Sequence, residues 1–210
     1  MATPSDSIRH GEPRLEADQT THFSIIDKAG NAVSVTTTIN GSFGNKVVVG
    51  HAGFILNNEM DDFSVKPGFP NMFGLTGSEA NAIAPGKRML SSMTPTIVEK
   101  DGKVLFVTGS PGGSTIITSV LQSILNVIDF DMGAAEAVSA PRFHSQWKPD
   151  LVMLEPGAIA AKDSLKLVGK GHKFYDRGLI GAVDAIKVLE NGSLEGGADP
   201  RRKDDTATGY

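Results

Sequence analysis

The segment DQTTHFSIID, residues 18–27, decides how this chain is read. Apolar and polar residues alternate through His22, Phe23, Ser24, Ile25 and Ile26, the period of a β-strand. Two threonines, Thr20 and Thr21, stand at its head. One β-branched residue suits a strand start; a pair of them directly after a loose polar tail of nineteen residues asks for a second explanation. The alternation resumes in AVSVTTTI, residues 32–39, across a turn at Lys28-Ala29-Gly30-Asn31. The spacing therefore predicts a hairpin of two strands, 22–27 and 32–39.

Outward from that hairpin the pattern alternates between strands and helices. Residues 40–53 are Gly-rich with a short strand at Val47–Val49, and 57–88 form a long irregular stretch. Loops of that length inside a domain are usually functional or mobile. A second hairpin is expected over 95–99 and 103–108, turning at Asp101-Gly102. A helix follows over about 114–130, with Ile116, Ile117, Val120, Leu121, Ile124, Leu125 and Ile128 as one broad apolar stripe. Shorter elements are predicted near 133–139 (helix), 151–155 (strand) and 162–170 (helix), with a last hairpin at Asn191-Gly192. Hairpins with interspersed helices give an α+β layered sheet protein.

Composition narrows the function. The 210 residues suit one domain or a large part of one, and 40% apolar content is enough for a core. A net charge of -4 without a dense basic patch argues against nucleic acid or an anionic membrane surface as partner. No apolar run approaches a membrane span. The N-terminus carries Pro4, Asp6, Arg9, Glu12 and Arg14 where a signal peptide needs an apolar core. With no cysteine, disulfides, thiolate nucleophiles and Cys-ligated metals are all excluded. No metal or cofactor is expected.

Three clusters carry chemistry. VTGSPGGSTIITSV places a Gly-rich turn between a strand and a helix that Ser114 can cap. Backbone N–H groups there would suit an anion or a developing oxyanion, and Gly112 and Gly113 let it approach. The P-loop order is absent, which disfavours phosphate, and a plain strand-to-helix turn is the ordinary alternative. LNNEMDDF, residues 56–63, groups Glu59, Asp61 and Asp62. A solvated acidic loop explains most such runs and the calcium-loop spacing is missing, but a carboxylate pair could grip a substrate ammonium. RMLSSMTPT offers the hydroxyls of Ser91 and Ser92 to an anion, or is simply a turn before Pro95. Together these would need a nucleophile. A threonine made N-terminal by cleavage would suffice, since its own α-amine can act as its base.

TTHFSIID, NNEMDDF, GKRMLSSMTPTIV, VTGSPGGS and APRFH, in this order and spacing, resemble the γ-glutamyltransferases (γ-glutamyl transpeptidases, glutathione hydrolases), specifically their small catalytic subunit. The resemblance runs from about Gln19 to Tyr210. It implies the N-terminal-nucleophile hydrolase fold, an αββα sandwich shared between a large and a small subunit made by self-cleavage. Residues 1–19 would be a stub resembling the large subunit's end, and 20–210 the catalytic small-subunit domain.

Carried over, the resemblance makes Thr20 the autoprocessing residue and nucleophile, with Thr38 tuning its amine. Asn40, Glu59 and Asp62 would hold the substrate's α-amino end and Ser91 and Ser92 its α-carboxylate. Gly112 and Gly113 would form the oxyanion hole. Thr21, on the other face of the strand, would be structural. The implied substrates are glutathione and other γ-glutamyl compounds, with water, an amino acid or a dipeptide as acceptor, in a periplasmic or extracellular setting. Two departures stand out. The large subunit, which in the family supplies an arginine to the α-carboxylate, is absent apart from the stub. The lid-like stretch PGFPNMFGLTG, residues 67–77, has Phe73 where bacterial relatives often have tyrosine, so a looser lid is expected. An inactive fragment or structural subunit remains open, as does a related amidase such as a cephalosporin-type acylase, against which the Glu59, Asp62, Ser91 and Ser92 set argues.

Overall fold

The computed structural model describes residues 20–209. The expected stub, and Gln19 with it, lies outside the described residues.

Strands β1 (Thr21–Ile26) and β2 (Ala32–Thr37) form the expected hairpin, with Thr21 opposite Thr37 and Ile26 opposite Ala32. Its turn is closed by Asp27, whose carboxylate accepts the backbone N–H groups of Ala29 and Asn31 and the Asn31 amide at 2.8–2.9 Å. This is why an Asp begins the turn: its oxygens replace lost ladder partners. Strands β3 (Val48–Val49) and β4 (Phe54–Ile55) make a short second pair. The stretch 57–88 is irregular as expected, held by short helical turns at Glu59–Asp62 and Glu79–Asn81 and by bridges between Ser64 and Ala82 and between Pro70 and Thr76.

The main sheet is built from β5 (Thr96–Lys100), β6 (Lys103–Gly109), β10 (Asp184–Val188) and β11 (Leu194–Gly197), in the order β11-β10-β6-β5 and antiparallel throughout. Asp101 and Gly102 turn the β5–β6 hairpin with φ of 54° and 73°, the left-handed pair that a tight hairpin requires. Helices α1 (Ile116–Ile128) and α2 (Ala134–Ser139) cover one face of this sheet, and the core there is Phe106, Val127, Ala137, Val138, Val183 and Ala185. A third sheet, β7 (Phe143–His144), β8 (Val152–Leu154) and β9 (Phe174–Asp176), and helix α3 (Ala161–Gly169) complete the fold. The α+β reading holds.

Two expectations need correction. Ser114 does not cap α1: a 3-10 turn, Gly113–Thr115, leads into the helix, and Thr115 turns its hydroxyl to the Gly112 carbonyl at 2.8 Å. Nor is the α1 stripe one buried face. Ile116, Ser119, Val120, Ser123 and Val127 are buried, whereas Ile117, Leu121, Leu125 and Ile128 are exposed. Small serines let the helix sit close on the sheet, and the larger side chains occupy the far side.

The β1–β2 hairpin lies face-on against the free face of the main sheet, packing on β6 and β10. Its polar side turns inward. His22 and Ile26 are buried, while Phe23, Ile25 and Val33 are exposed at 44–50%. His22 bonds the hydroxyls of Thr36 at 2.8 Å and Ser24 at 3.0 Å. Ser34 donates to the Thr108 carbonyl at 2.9 Å and accepts from the Thr96 N–H at 3.1 Å, bridging the two sheets. Burial lowers the His22 pKa to about 4, so the ring is neutral at pH 7 and hydrogen-bonds to hydroxyls instead of a carboxylate. Gly109 makes room for it: a Cβ there would lie 2.2–2.8 Å from three ring atoms.

Behind the main sheet, Arg142 and Arg201 interleave with Asp199 and Glu155 in a buried ionic cluster. Arg142 donates to Asp199 at 2.6 Å and to the carbonyls of Ile180 and Val138; Arg201 donates to Glu155, Asp199 and the carbonyls of Val138 and Ala140. Each carboxylate accepts from a guanidinium and from backbone N–H groups, Glu155 from Arg142 and Ile180 and Asp199 from Val183 and Arg201, the condition under which buried charge is tolerated.

Gly109→Ala should destabilise the fold by about 1–3 kcal/mol through overpacking against the His22 ring. Chemical denaturation of Gly109→Ala, His22→Ala and the double variant checks this. The double variant should lose clearly less than the sum of the singles.

Candidate active site

Thr20 ends up where β1 begins, on the inner side of the hairpin and 5% exposed, while Thr21 faces outward. The strand alternation separates the two threonines. Thr20 Oγ1 donates to Thr38 Oγ1 at 3.1 Å, and the same Thr38 oxygen accepts the Asn40 backbone N–H at 2.9 Å. The Thr20 carbonyl receives a long hydrogen bond, 3.4 Å, from Arg202. Asn40 is buried with φ of 70°, a left-handed conformation that Asn tolerates better than most side chains. Its amide donates to the Asn58 carbonyl at 3.2 Å and faces the Met72 sulfur at 3.8 Å.

The acidic loop folds as a 3-10 turn that buries Asp62. Ser92 donates to Asp62 Oδ2 at 2.8 Å, and Asn81 donates to the Asp62 carbonyl at 2.7 Å while accepting the Leu90 N–H at 3.0 Å. Asn81, which sequence reading passed over, thus fastens the acidic loop to the serine segment. Glu59 lies against Asp62. Burial and the Asp62 charge push its pKa up to about 7, and burial likewise raises Asp62, opposed by its bond from Ser92. Two carboxylates so close share a proton near neutral pH and titrate as a pair. Ser91 is exposed and directs its hydroxyl to the Met93 carbonyl at 3.0 Å.

Gly112 and Gly113 form the turn between β6 and α1, with φ of 142° and 55°. Both positions exclude side chains. A Cβ on Gly112 would meet Thr115 Oγ1 at 2.7 Å, and one on Gly113 would meet the Phe73 ring at 3.1 Å.

These pieces surround one cavity of about 660 Å³. Thr20, Thr38, Asn40, Asp62, Ser91, Ser92 and Gly113 line it; Glu59, which interacts with Asp62, and Gly112, the neighbour of Gly113, are not among its lining residues. The other walls come from the 67–77 stretch, through Phe69, Phe73 and Leu75, and from Thr118, His144 and Gln146. The role of these last three was not legible. Only His144 falls in a quoted motif, APRFH. A wider groove along β1 and β10 contains Asp184, pushed up to about 7 by burial and Asp205, and none of the predicted site residues. Among the described residues, no group of three His, Cys, Asp or Glu side chains is placed to hold a metal ion, and no helix is long and apolar enough to cross a membrane.

A sheet-on-sheet core flanked by helices, with a hydroxyl residue heading the first inner strand, defines the N-terminal-nucleophile hydrolase fold class. More narrowly, residues 2–209 match the family model described as gamma-glutamyltranspeptidase, and the chain belongs to that family. It is 53% identical to the glutathione hydrolase proenzyme of Escherichia coli over 100% of its own length and 36% of that protein's. The Pseudomonas aeruginosa glutathione hydrolase proenzyme is 50% identical, over 95% of this chain and 36% of the relative. The chain therefore spans about a third of the length of the curated relatives it matches. Among solved structures, a mutant Helicobacter pylori γ-glutamyltranspeptidase superposes with a TM-score of 0.83 at 54% identity, covering 87% of this chain and 100% of that one. A Bacillus halodurans cephalosporin acylase superposes at 0.75 with 29% identity, over 90% of this chain and 34% of that one.

Because the folded-state pKa of Glu59 lies above its unfolded value of 4.5, the folded state holds more protons between pH 4.5 and about 7. The stability Glu59 contributes is present below that window and is lost as pH rises through it. Thermal melts at pH 5 and pH 7.5 should therefore differ less in Glu59→Gln than in the parent chain. An identical difference in both would take Glu59 out of the shared-proton pair.

Proposed function

We propose that residues 20–210 are the catalytic small-subunit unit of a γ-glutamyltransferase and glutathione hydrolase, that residues 1–19 are the end of its large-subunit segment, and that Thr20 is both processing residue and nucleophile. The observation that carries this reading is the shared cavity: a buried threonine hydroxyl bonded to Thr38, with Asp62–Ser92 and Gly113 around the same space.

In processing, Thr20 Oγ attacks the Gln19 carbonyl. The peptide C–N bond breaks, the Thr20 amine leaves with a proton, and water hydrolyses the resulting ester. In turnover, the freed amine takes the Thr20 hydroxyl proton as Oγ attacks the γ-amide carbon. Backbone N–H groups of Gly112 and Gly113 hold the oxyanion, a contribution typically worth on the order of 10²–10³ in turnover per donor. The leaving amine departs protonated, and the γ-glutamyl ester passes to water or to an acceptor amine. Thr38 fixes the rotamer of Thr20 and, through the Asn40 N–H, the turn that follows β2.

The substrate's α-ammonium would engage Asp62 and Glu59, with Asn40 beside them. It would replace Ser92 as the donor to Asp62, and the Ser92 hydroxyl would then turn to the α-carboxylate, joined by Ser91. The arginine expected for that carboxylate would come from the large subunit. The same subunit would cover the exposed apolar sides of β1–β2 and α1. A cephalosporin-type acylase reading has structural likeness behind it, but its acyl groups give no reason for a shared-proton carboxylate pair bonded to Ser92.

Intact mass provides the direct test. Assembled with a large-subunit partner, the chain should split between Gln19 and Thr20, and Thr20→Ala should stay whole; cleavage of that variant at the same bond would assign the cut to another protease. In the assembled enzyme, Asp62→Ala should raise KM for a γ-glutamyl anilide by about 10–100-fold, the loss of a charge-assisted hydrogen bond. An unchanged KM would return the acidic loop to a solvated surface feature.

A further inference from the structure

The APRFH segment ends in a chain of hydrogen bonds that the proposed chemistry does not use. Strand β7 is fastened to α1 by a reciprocal pair: Gln122 donates to the Phe143 carbonyl at 2.8 Å and accepts the Phe143 N–H at 3.1 Å. One turn earlier on α1, Thr118 Oγ1 meets His144 Nδ1 at 2.8 Å. His144 Nε2 meets Gln146 Oε1 at 2.8 Å. The Gln146 amide then reaches the carbonyls of Phe73, at 3.4 Å, and Lys148, at 3.0 Å. Burial lowers the His144 pKa, favouring the neutral ring. In its Nε2–H tautomer every donor finds an acceptor: the Thr118 hydroxyl, which also lies 3.1 Å from the Thr115 carbonyl, donates to the nearer Nδ1, Nε2–H donates to Gln146 Oε1, and both amide hydrogens of Gln146 go to carbonyls.

Phe73 is the residue whose ring rests on Gly113. The other attachments of its loop are of a different kind. Asn71 caps its own loop, accepting the N–H groups of Phe73 and Leu75 at 3.0 Å. Met72 receives an N–H bond from Asn58 on its sulfur at 3.5 Å, a weak acceptor, and donates its own N–H to Asp61 at 3.2 Å. These bonds tie the loop to the acidic side of the cavity. Among the described residues, it is Gln146 that ties Phe73 by a hydrogen bond to the helix side, where Gly112 and Gly113 lie.

We infer that Gln146 is a positioning residue: relayed from Thr118 through His144, its amide holds the Phe73 carbonyl so that the ring closes over Gly113 and shields the reacting carbonyl from water. This rests on the γ-glutamyl-ester reading above. When the latch is lost, water gains on the acceptor amine. In that competing step the water oxygen bonds to the γ-carbonyl carbon, the ester C–Oγ bond breaks, and Thr20 Oγ recovers a proton. A side chain at position 73 without a hydroxyl is thus compensated through its main chain.

The test compares Gln146→Met and Gln146→Glu in the chain assembled with its large-subunit partner. Met removes the whole polar group. Glu preserves length and the acceptor for His144 but sets an oxygen against the Phe73 carbonyl. Two readouts are taken: amide hydrogen exchange over residues 72–77, and the ratio of hydrolysis to transfer with a γ-glutamyl anilide and a dipeptide acceptor. Both variants should exchange faster and shift the ratio toward hydrolysis by about 2–10-fold, the loss of one hydrogen bond. If Gln146→Glu behaves as the parent, Gln146 merely props His144 and the proposal fails. It fails equally if exchange is unchanged in both, or if exchange rises while the ratio stays fixed. Faster exchange in both variants of a protein with no γ-glutamyl activity at all would support the latch and sink the functional reading instead.

Discussion

The seating of His22 on Gly109 is the constraint around which the site is arranged. Two sheets normally meet through apolar side chains about 10 Å apart. Here the inner face of the first hairpin is largely polar, and it reaches the main sheet because the opposing residue has no side chain. An imidazole held neutral by burial can saturate both nitrogens with the hydroxyls of Thr36 and Ser24. Ser34 then stitches Thr108 to Thr96 across the gap. The outcome is a rigid seam directly beneath Thr20, one residue before the strand begins. The nucleophile proposed at Thr20 would have to be held to within about an ångström, and hydrogen bonds fix position more sharply than an apolar contact of the same area.

The same economy appears at the other end of the cavity. The main strand β6 runs from the core at Phe106 to the Gly-rich turn, and α1 leaves from that turn with small serines facing the sheet. Close packing of the helix puts Thr118 within reach of β7, and β7 within reach of the loop over Gly113. Behind it, the Arg142–Asp199–Arg201–Glu155 cluster binds the C-terminal segment to the start of β7. Arg142 and His144 are two residues apart on an extended stretch, so they share a face in sequence terms. Yet one ends in the ionic cluster and the other in the cavity wall, because Arg142 precedes the strand and its long side chain reaches back under α2.

Much of this was legible beforehand. Period-two alternation located the first hairpin to within two residues at either end, and Asp101-Gly102 and Asn191-Gly192 located two more. The clusters around Glu59, Ser91 and Gly112 announced themselves by composition, and the structure gathers them on one cavity. What escaped notice shares a physical cause. Strands β4, β7 and β9 are two or three residues long and too short to show a period. Asn81, Thr118 and Gln146 act through single hydrogen bonds made across long sequence separations, and an amide or hydroxyl in a loop looks the same whether or not it has a distant partner. Sequence presents Ser114 as a cap, but Gly112 and Gly113 close a tighter turn than an α-helix start. The α1 stripe divides into a buried and an exposed part; sequence periodicity shows which residues share a face and not what covers it.

Those two faces carry a consequence of timing. Ile117, Leu121, Leu125 and Ile128 on the helix, and Phe23, Ile25 and Val33 on the hairpin, leave the chain greasy on opposite sides. Encounter between two such copies scales with the square of their concentration. Encounter with a covering segment on the same polypeptide does not depend on concentration at all, being set only by the tether. A chain built this way is therefore safest when synthesised already joined to whatever covers it and cut free afterwards. On the proposed reading of Thr20 as a processing site, surface chemistry alone would favour covering first and cutting second.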